Sequence, residues 1–147
     1  MKNGVIIAAK ATYDCGKTTA IRGVWLGLKK CGAQEITEPK FYSQGTGQPQ
    51  DVEAVIEYKG VKIGISSRGD PGINQAAILD DFIKAECRII ICACRMKGDT
   101  KAPIDALKDS WDIRYIHTAA YGYISVDTMW NELMQTIRII KFVETNK

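Results

Sequence analysis

Apolar positions along the chain switch between two spacings. The run Val5, Ile6, Ile7, Ala8, Ala9 has no polar interruption. It predicts a first strand over about 4–9 that is covered on both faces, because a half-exposed strand would alternate. Isoleucines 89–91 with Cys92, Ala93 and Cys94 predict a second such strand over 88–94. Ile21, Val24, Trp25 and Leu28 recur at helical spacing, so a helix is expected from 17 to 31, ended by Gly32. Positions 52–58 and 61–67 flank Lys59-Gly60, a two-residue hairpin signal. A helix over 73–85 would turn Ala77, Ile78 and Phe82 inward, and Pro103 would open a short helix reaching 110. A last strand is expected at 113–118. A final helix at 126–143, capped by Ser125, would bury Met129, Trp130, Leu133, Ile137 and Ile140.

This order of elements predicts one α/β domain spanning 1–147. Its sheet is expected to be five-stranded and mostly parallel, with one antiparallel edge strand and helices on both faces, making three layers. The carboxyl ends of the parallel strands then form one working edge, where the segments beginning near 10, 66, 94 and 118 converge. The stretch 42–50 (Tyr-Ser-Gln-Gly-Thr-Gly-Gln-Pro-Gln) has no aliphatic anchor and reads as a surface loop, or as a flap over a ligand.

Composition narrows the classes. With 46% hydrophobic and 25% charged residues the chain is of ordinary globular make-up, and a net charge of +3 gives no nucleic-acid surface. Five cysteines without a CxxC or paired-histidine pattern read as reduced side chains, with Cys92 and Cys94 on one strand face in the core. A cytoplasmic protein is expected, with no leader and no membrane-spanning run. Trp111, or an aromatic patch at Tyr121 and Tyr123, is the expected mark of an exposed contact surface.

The chemistry concentrates between the first strand and the first helix. Residues 11–18 read Ala-Thr-Tyr-Asp-Cys-Gly-Lys-Thr, the [AG]-x-x-x-x-G-K-[ST] phosphate-binding pattern. Backbone N–H groups of such a loop curl around a phosphate, and the helix N-terminus adds a favourable dipole. The nucleotide-binding set is therefore Ala11, Thr12, Tyr13, Asp14, Cys15, Gly16, Lys17, Thr18 and Thr19. Lys17 would neutralise the β- and γ-phosphates, the Thr18 hydroxyl would hold Mg²⁺, and Gly16 would let the backbone approach the anion.

With this motif in place, the chain resembles the P-loop NTPases, its kinase and GTPase branch above all. The resemblance implies ATP, or another nucleoside triphosphate, with Mg²⁺ as cofactors. It further implies an acidic metal-side residue after the strand beside the loop. Here Ser66 stands at that strand end and the first carboxylate is Asp70, which becomes the candidate metal-orienting or base residue. Arg68 and Arg95 each follow a strand directly and are the candidates for stabilising a transferred phosphoryl group. A guanine-specific switch fits less well, since Met96 precedes Lys97-Gly98-Asp99 where an asparagine is needed. The expected function is a small Mg²⁺-dependent kinase-like phosphotransferase or ATPase whose acceptor is a small molecule or a protein. The alternatives are a nucleotide-binding regulatory module without appreciable turnover, and a protein scaffold whose loop is vestigial.

Overall fold

A computed structural model describes residues 2–11, 16–43, 47, 50–69, 72–117 and 123–146. The elements in chain order are β1 (Gly4–Lys10), α1 (Lys17–Lys30), β2 (Gln34–Glu35), β3 (Lys40–Tyr42), β4 (Asp51–Tyr58), β5 (Val61–Ser66), α2 (Gln75–Lys84), β6 (Ile89–Cys94), α3 (Ala102–Asp105), β7 (Trp111–His117) and α4 (Val126–Thr145).

All seven strands join one sheet in the order β2-β4-β5-β6-β1-β7, with β3 also paired to β4. β5, β6, β1 and β7 are mutually parallel, whereas β4 runs against β5 and against β2 and β3. The fold is thus α/β with a mixed, mostly parallel sheet, but the expected five strands are seven. The antiparallel strand is not an edge either, because β2 and β3 cover its outer side. Both added strands are two or three residues long, too short to leave a periodic trace. Trp25 on α1 fixes that segment: its Nε1 donates to Glu35 Oε1 at 2.6 Å, and its ring meets Phe41 edge-on at 5.6 Å.

Two cores flank the sheet. On one face Val5, Ile7, Ala9, Ile89 and Ile91 pack beneath Ile21, Val24, Leu28, Met129 and Leu133 from α1 and α4. On the other, Ile6, Ala8, Ile90 and Cys92 pack beneath Ile78, Leu79 and Phe82 of α2 and Ile104 of α3. Both faces of β1 and β6 are covered, which is why their sequences are continuously apolar. The close α1–α4 approach uses glycine: a Cβ on Gly23 would lie 2.6 Å from Val126, and one on Gly27 2.9 Å from Trp130.

Several expectations hold in detail. Lys59 and Gly60 adopt φ of 53° and 79°, as a primed hairpin turn requires. Ser125 Oγ accepts from Thr128 N at 3.1 Å and caps α4. Cys92 and Cys94 share the α2–α3 core. Others are corrected. Ala77 is exposed, and Gln75 and Leu79 turn inward with Ile78 and Phe82. The helix opened by Pro103 stops at Asp105, because the bonds Leu107 N to Ile104 O and Lys108 N to Asp105 O continue as three-residue turns. Trp111 is 3% exposed, packed in the α2–α3 core, and marks no contact surface. Tyr123 is exposed, and Tyr121 lies outside the described residues. Among the described residues no helix is long and apolar enough to cross a membrane.

Candidate functional site

Because β5, β6, β1 and β7 are parallel, the segments after 66, 94, 10 and 117 leave from one edge of the sheet. β4, running the other way, begins at that edge. The first helix starts there too. Gly16 is its N-cap, at φ 80° and ψ 13°, and the first turn carries no acidic side chain. The N-terminal partial charge of α1 therefore has no carboxylate of its own first turn to offset it. Gly16 is required on two counts. Its left-handed backbone is unfavourable for other residues, and a Cβ would lie 3.2 Å from Tyr123 Cδ1 and 3.3 Å from the Ile124 carbonyl oxygen.

Lys17 and Thr18 in the first turn are 5% and 8% exposed, whereas Thr19 is exposed. The Lys17 ammonium donates to the Cys94 carbonyl at 3.2 Å. This contact follows from the register, since β6 lies directly beside β1 with Lys10 opposite Cys94. The Ala11 N–H donates to the same carbonyl at 3.2 Å. Of the remaining loop residues, Thr12, Tyr13, Asp14 and Cys15 lie outside the described residues.

The Thr18 hydroxyl donates to Asp51 Oδ1 at 3.2 Å, and Ser67 Oγ donates to the same oxygen at 2.7 Å. Ser67 is itself locked by backbone: its Oγ accepts from Val52 N at 2.9 Å and its N–H donates to Val52 O at 3.0 Å. Asp51 is 7% exposed and Ser67 2%. Just before Asp51, the Gln50 carbonyl accepts from Arg22 Nη1 at 2.6 Å. Arg22 lies one turn beyond Thr18, so the same helix face holds both. Asp51 was not among the residues singled out from sequence, although a signal existed. Counting back along the hairpin from Tyr58 opposite Val61 to Glu53 opposite Ser66 sets Val52 beside Ser67, at the end of β5.

Ser66 points elsewhere. It is fully buried, and its Oγ accepts from Arg68 N at 3.3 Å. β5 also does not adjoin β1, since β6 lies between them. Asp70 lies outside the described residues. Arg68 pairs with Glu53 at 3.2 Å, and its guanidinium sits 4.0 Å from the Tyr42 ring centre. Both contacts tie it to β3 and β4. Arg95 follows β6 at the working edge, and its backbone N–H donates to Thr100 Oγ1 at 2.9 Å. Gln75, 1% exposed, braces the segment after β6 by donating Nε2 to Ala93 O at 2.8 Å and Thr100 O at 3.1 Å. The structure thus brings Thr18, Asp51 and Ser67 together, with Lys17 beside Thr18 at the start of α1, and pairs Arg68 with Glu53.

Beyond β6 lies a second polar group. Asp105 accepts from Lys101 Nζ at 2.6 Å and from the Tyr115 hydroxyl, while Lys10 Nζ stands 4.5 Å from the Tyr115 ring centre. The bond from Lys101, then that from Tyr115, lowers the Asp105 pKa. Burial, reinforced by that Asp105 contact, raises the Tyr115 pKa far above its ordinary value. Burial likewise pushes the Cys94 thiol up to about 11, against the opposing pull of Lys17, so this thiol is not a nucleophile at neutral pH.

The two described concavities lie off this edge. One, of about 320 Å³, lies between Thr37–Lys40 positions and α2, with Glu53, Val55 and Phe82 in its walls; the other, of about 230 Å³, is an apolar groove between α2 and α3. Neither includes Lys17, Thr18 or Asp51. Among the described residues there is no group of three His, Cys, Asp or Glu able to hold a metal by protein ligands alone. Compared with known protein families, curated proteins and solved structures, the chain finds no match.

Proposed function

We propose that the chain binds ATP, or another nucleoside triphosphate, with Mg²⁺ at the loop 11–18, as a P-loop protein. The observation that carries this reading is the junction of β1 and α1. A left-handed Gly16 turns the chain into a helix whose first turn lacks an acidic side chain and presents Lys17 and Thr18 at the carboxyl edge of parallel strands. Lys17 would neutralise the terminal phosphates, leaving the Cys94 carbonyl to do so. The donors around Thr18 are hydroxyl and carboxylate oxygens, which suit Mg²⁺. A cage of protein ligands is not needed, because Mg²⁺ commonly takes one or two carboxylates and fills its shell with phosphate and water oxygens. When bound, the ion would offset charge on the phosphates.

A phosphotransferase needs cations around the moving phosphoryl group, and Arg68 is engaged with Glu53 and Tyr42. That contact favours a second reading, a nucleotide-binding regulatory module with slow hydrolysis or none. Calorimetry tests the binding claim: Lys17→Ala should abolish measurable ATP affinity while the fold is retained, and an unchanged affinity overturns the reading. Phosphate release well above background by the unaltered chain would favour the ATPase over the regulatory module.

A further inference from the structure

We propose that the chain forms a two-fold dimer in which the outer edge of β7 pairs antiparallel with β7 of a second copy, centred on Ile113. This pairing is independent of the nucleotide reading of 11–18.

Three observations carry it. First, β7 ends the sheet with part of its backbone turned outward. Among the described residues it pairs with β1 on one side and with no strand on the other. The Ser110 carbonyl accepts from Asn3 N on the β1 side, whereas Trp111 N turns to Leu107 O. Backbone groups alternate in direction along a strand, so the N–H and C=O of Ile113 and Tyr115 point away from β1. The strand holds neither glycine nor proline, and only its charged side chains guard the edge against pairing.

Second, those charges leave one register open. Centring the pair on Arg114 sets arginine against arginine, and centring it on Asp112 sets aspartate against aspartate; like charges directly opposite are unfavourable. Centring on Ile113 sets Asp112 opposite Arg114 of the second copy, and the two-fold repeats that contact. The two Ile113 residues then exchange N–H to C=O bonds, and each Tyr115 N–H meets the Trp111 carbonyl of the other copy. Arg114 pairs with Glu132 of α4 at 2.8 Å, and its guanidinium has donors for a second carboxylate. The Asp112 side chain is 60% exposed, with Lys2 at 3.9 Å.

Third, the flank of α4 beside this edge carries exposed apolar side chains. Glu132, Ile139 and Val143 fall on one line of the helix, and the bond from Arg114 to Glu132 turns that line towards β7. Ile139 is 51% and Val143 37% exposed. α4 starts beside Gly16 at the working edge and ends with Glu144 paired to Arg88 at the other, so it runs back along β7. The seven positions from Glu132 to Ile139 cover about 10 Å, or about three strand positions, which sets Ile139 level with Trp111. In the Ile113-centred pair the second copy's Tyr115 and Ile116 lie at that level. Ile116 is on the α4 face and only partly buried in the single chain, so Ile139 of the other copy covers it.

The test is sedimentation equilibrium of the full chain over a range of concentrations without nucleotide. The unaltered chain should show a reversible dimer. Asp112→Arg, at an exposed position, sets arginine against arginine on both sides of the two-fold and should weaken association roughly 10-fold or more. Adding Arg114→Asp restores opposite charges and should recover most of that loss. Ile139→Asp should weaken association with an unchanged circular dichroism spectrum, and serves if the exchanged pair does not fold. A chain that is monomeric at every concentration, or a dimer that Asp112→Arg leaves intact, overturns the proposal. Failure of the folded double exchange to recover association overturns the register centred on Ile113.

Discussion

Replacing Ser67 by alanine isolates the backbone lock from any question of ligand. The change removes an acceptor from Val52 N–H and a donor to the Asp51 carboxylate. Val52 is fully buried, so its N–H is left without a replacement from water. An unsatisfied buried donor costs about 1–3 kcal/mol, and a hydrogen bond to a charged group contributes about 1.5–3 kcal/mol. The two losses share one hydroxyl and do not simply add, so a total of about 2–4 kcal/mol is expected. For a chain of this length that lowers Tm by roughly 6–15 °C in a thermal melt. Ser66→Ala is the matched control, since the neighbouring hydroxyl accepts only a 3.3 Å bond from Arg68 N. Its expected cost is about 1 kcal/mol. A cycle of Ser67→Ala and Asp51→Asn should show coupling above about 0.5 kcal/mol. If Ser66→Ala costs as much as Ser67→Ala, or the cycle is additive, the lock described here is wrong.

Two further outcomes are expected. Gly64→Ala places a Cβ 2.5 Å from Phe82 Cγ, at the fixed root of a ring packed under α2; it should destabilise by about 1–3 kcal/mol in urea denaturation, and this cost should vanish in a Phe82→Ala background, which removes the Cγ. Asp105 has its pKa lowered by the Lys101 bond and then by Tyr115, so it contributes stability above the ordinary carboxylate value that disappears as pH falls through the lowered folded value. Because the Asp105 side chain is 44% exposed, the contribution is under about 1 kcal/mol. Thermal melts of the parent and Asp105→Asn should therefore differ slightly at neutral pH and converge in acid; a difference that grows in acid would contradict the sign.

Local pattern determined a good deal of this protein by itself. The apolar runs of β1 and β6, the stripe Ile21-Val24-Trp25-Leu28, the turn at Lys59-Gly60 and the Ser125 cap each express physics contained within a few residues. Gly16-Lys17-Thr18 at the start of α1 was legible for the same reason. What tertiary structure decided is everything that depends on which strand lies beside which. β6 takes the place beside β1, and so moves the end of β5 one strand away from the loop. Two very short strands cover the outer side of β4, recruited by Trp25 rather than by their own pattern. Arg68 follows a strand, and only the folded sheet pairs it with Glu53 and sets it over the Tyr42 ring. Asp51 looked like one loop carboxylate among many, because its contacts with Thr18 and Ser67 span distant positions. Only the antiparallel return of β4 brings those partners together, and sequence spacing carries no record of such a meeting beyond the hairpin register that permits it.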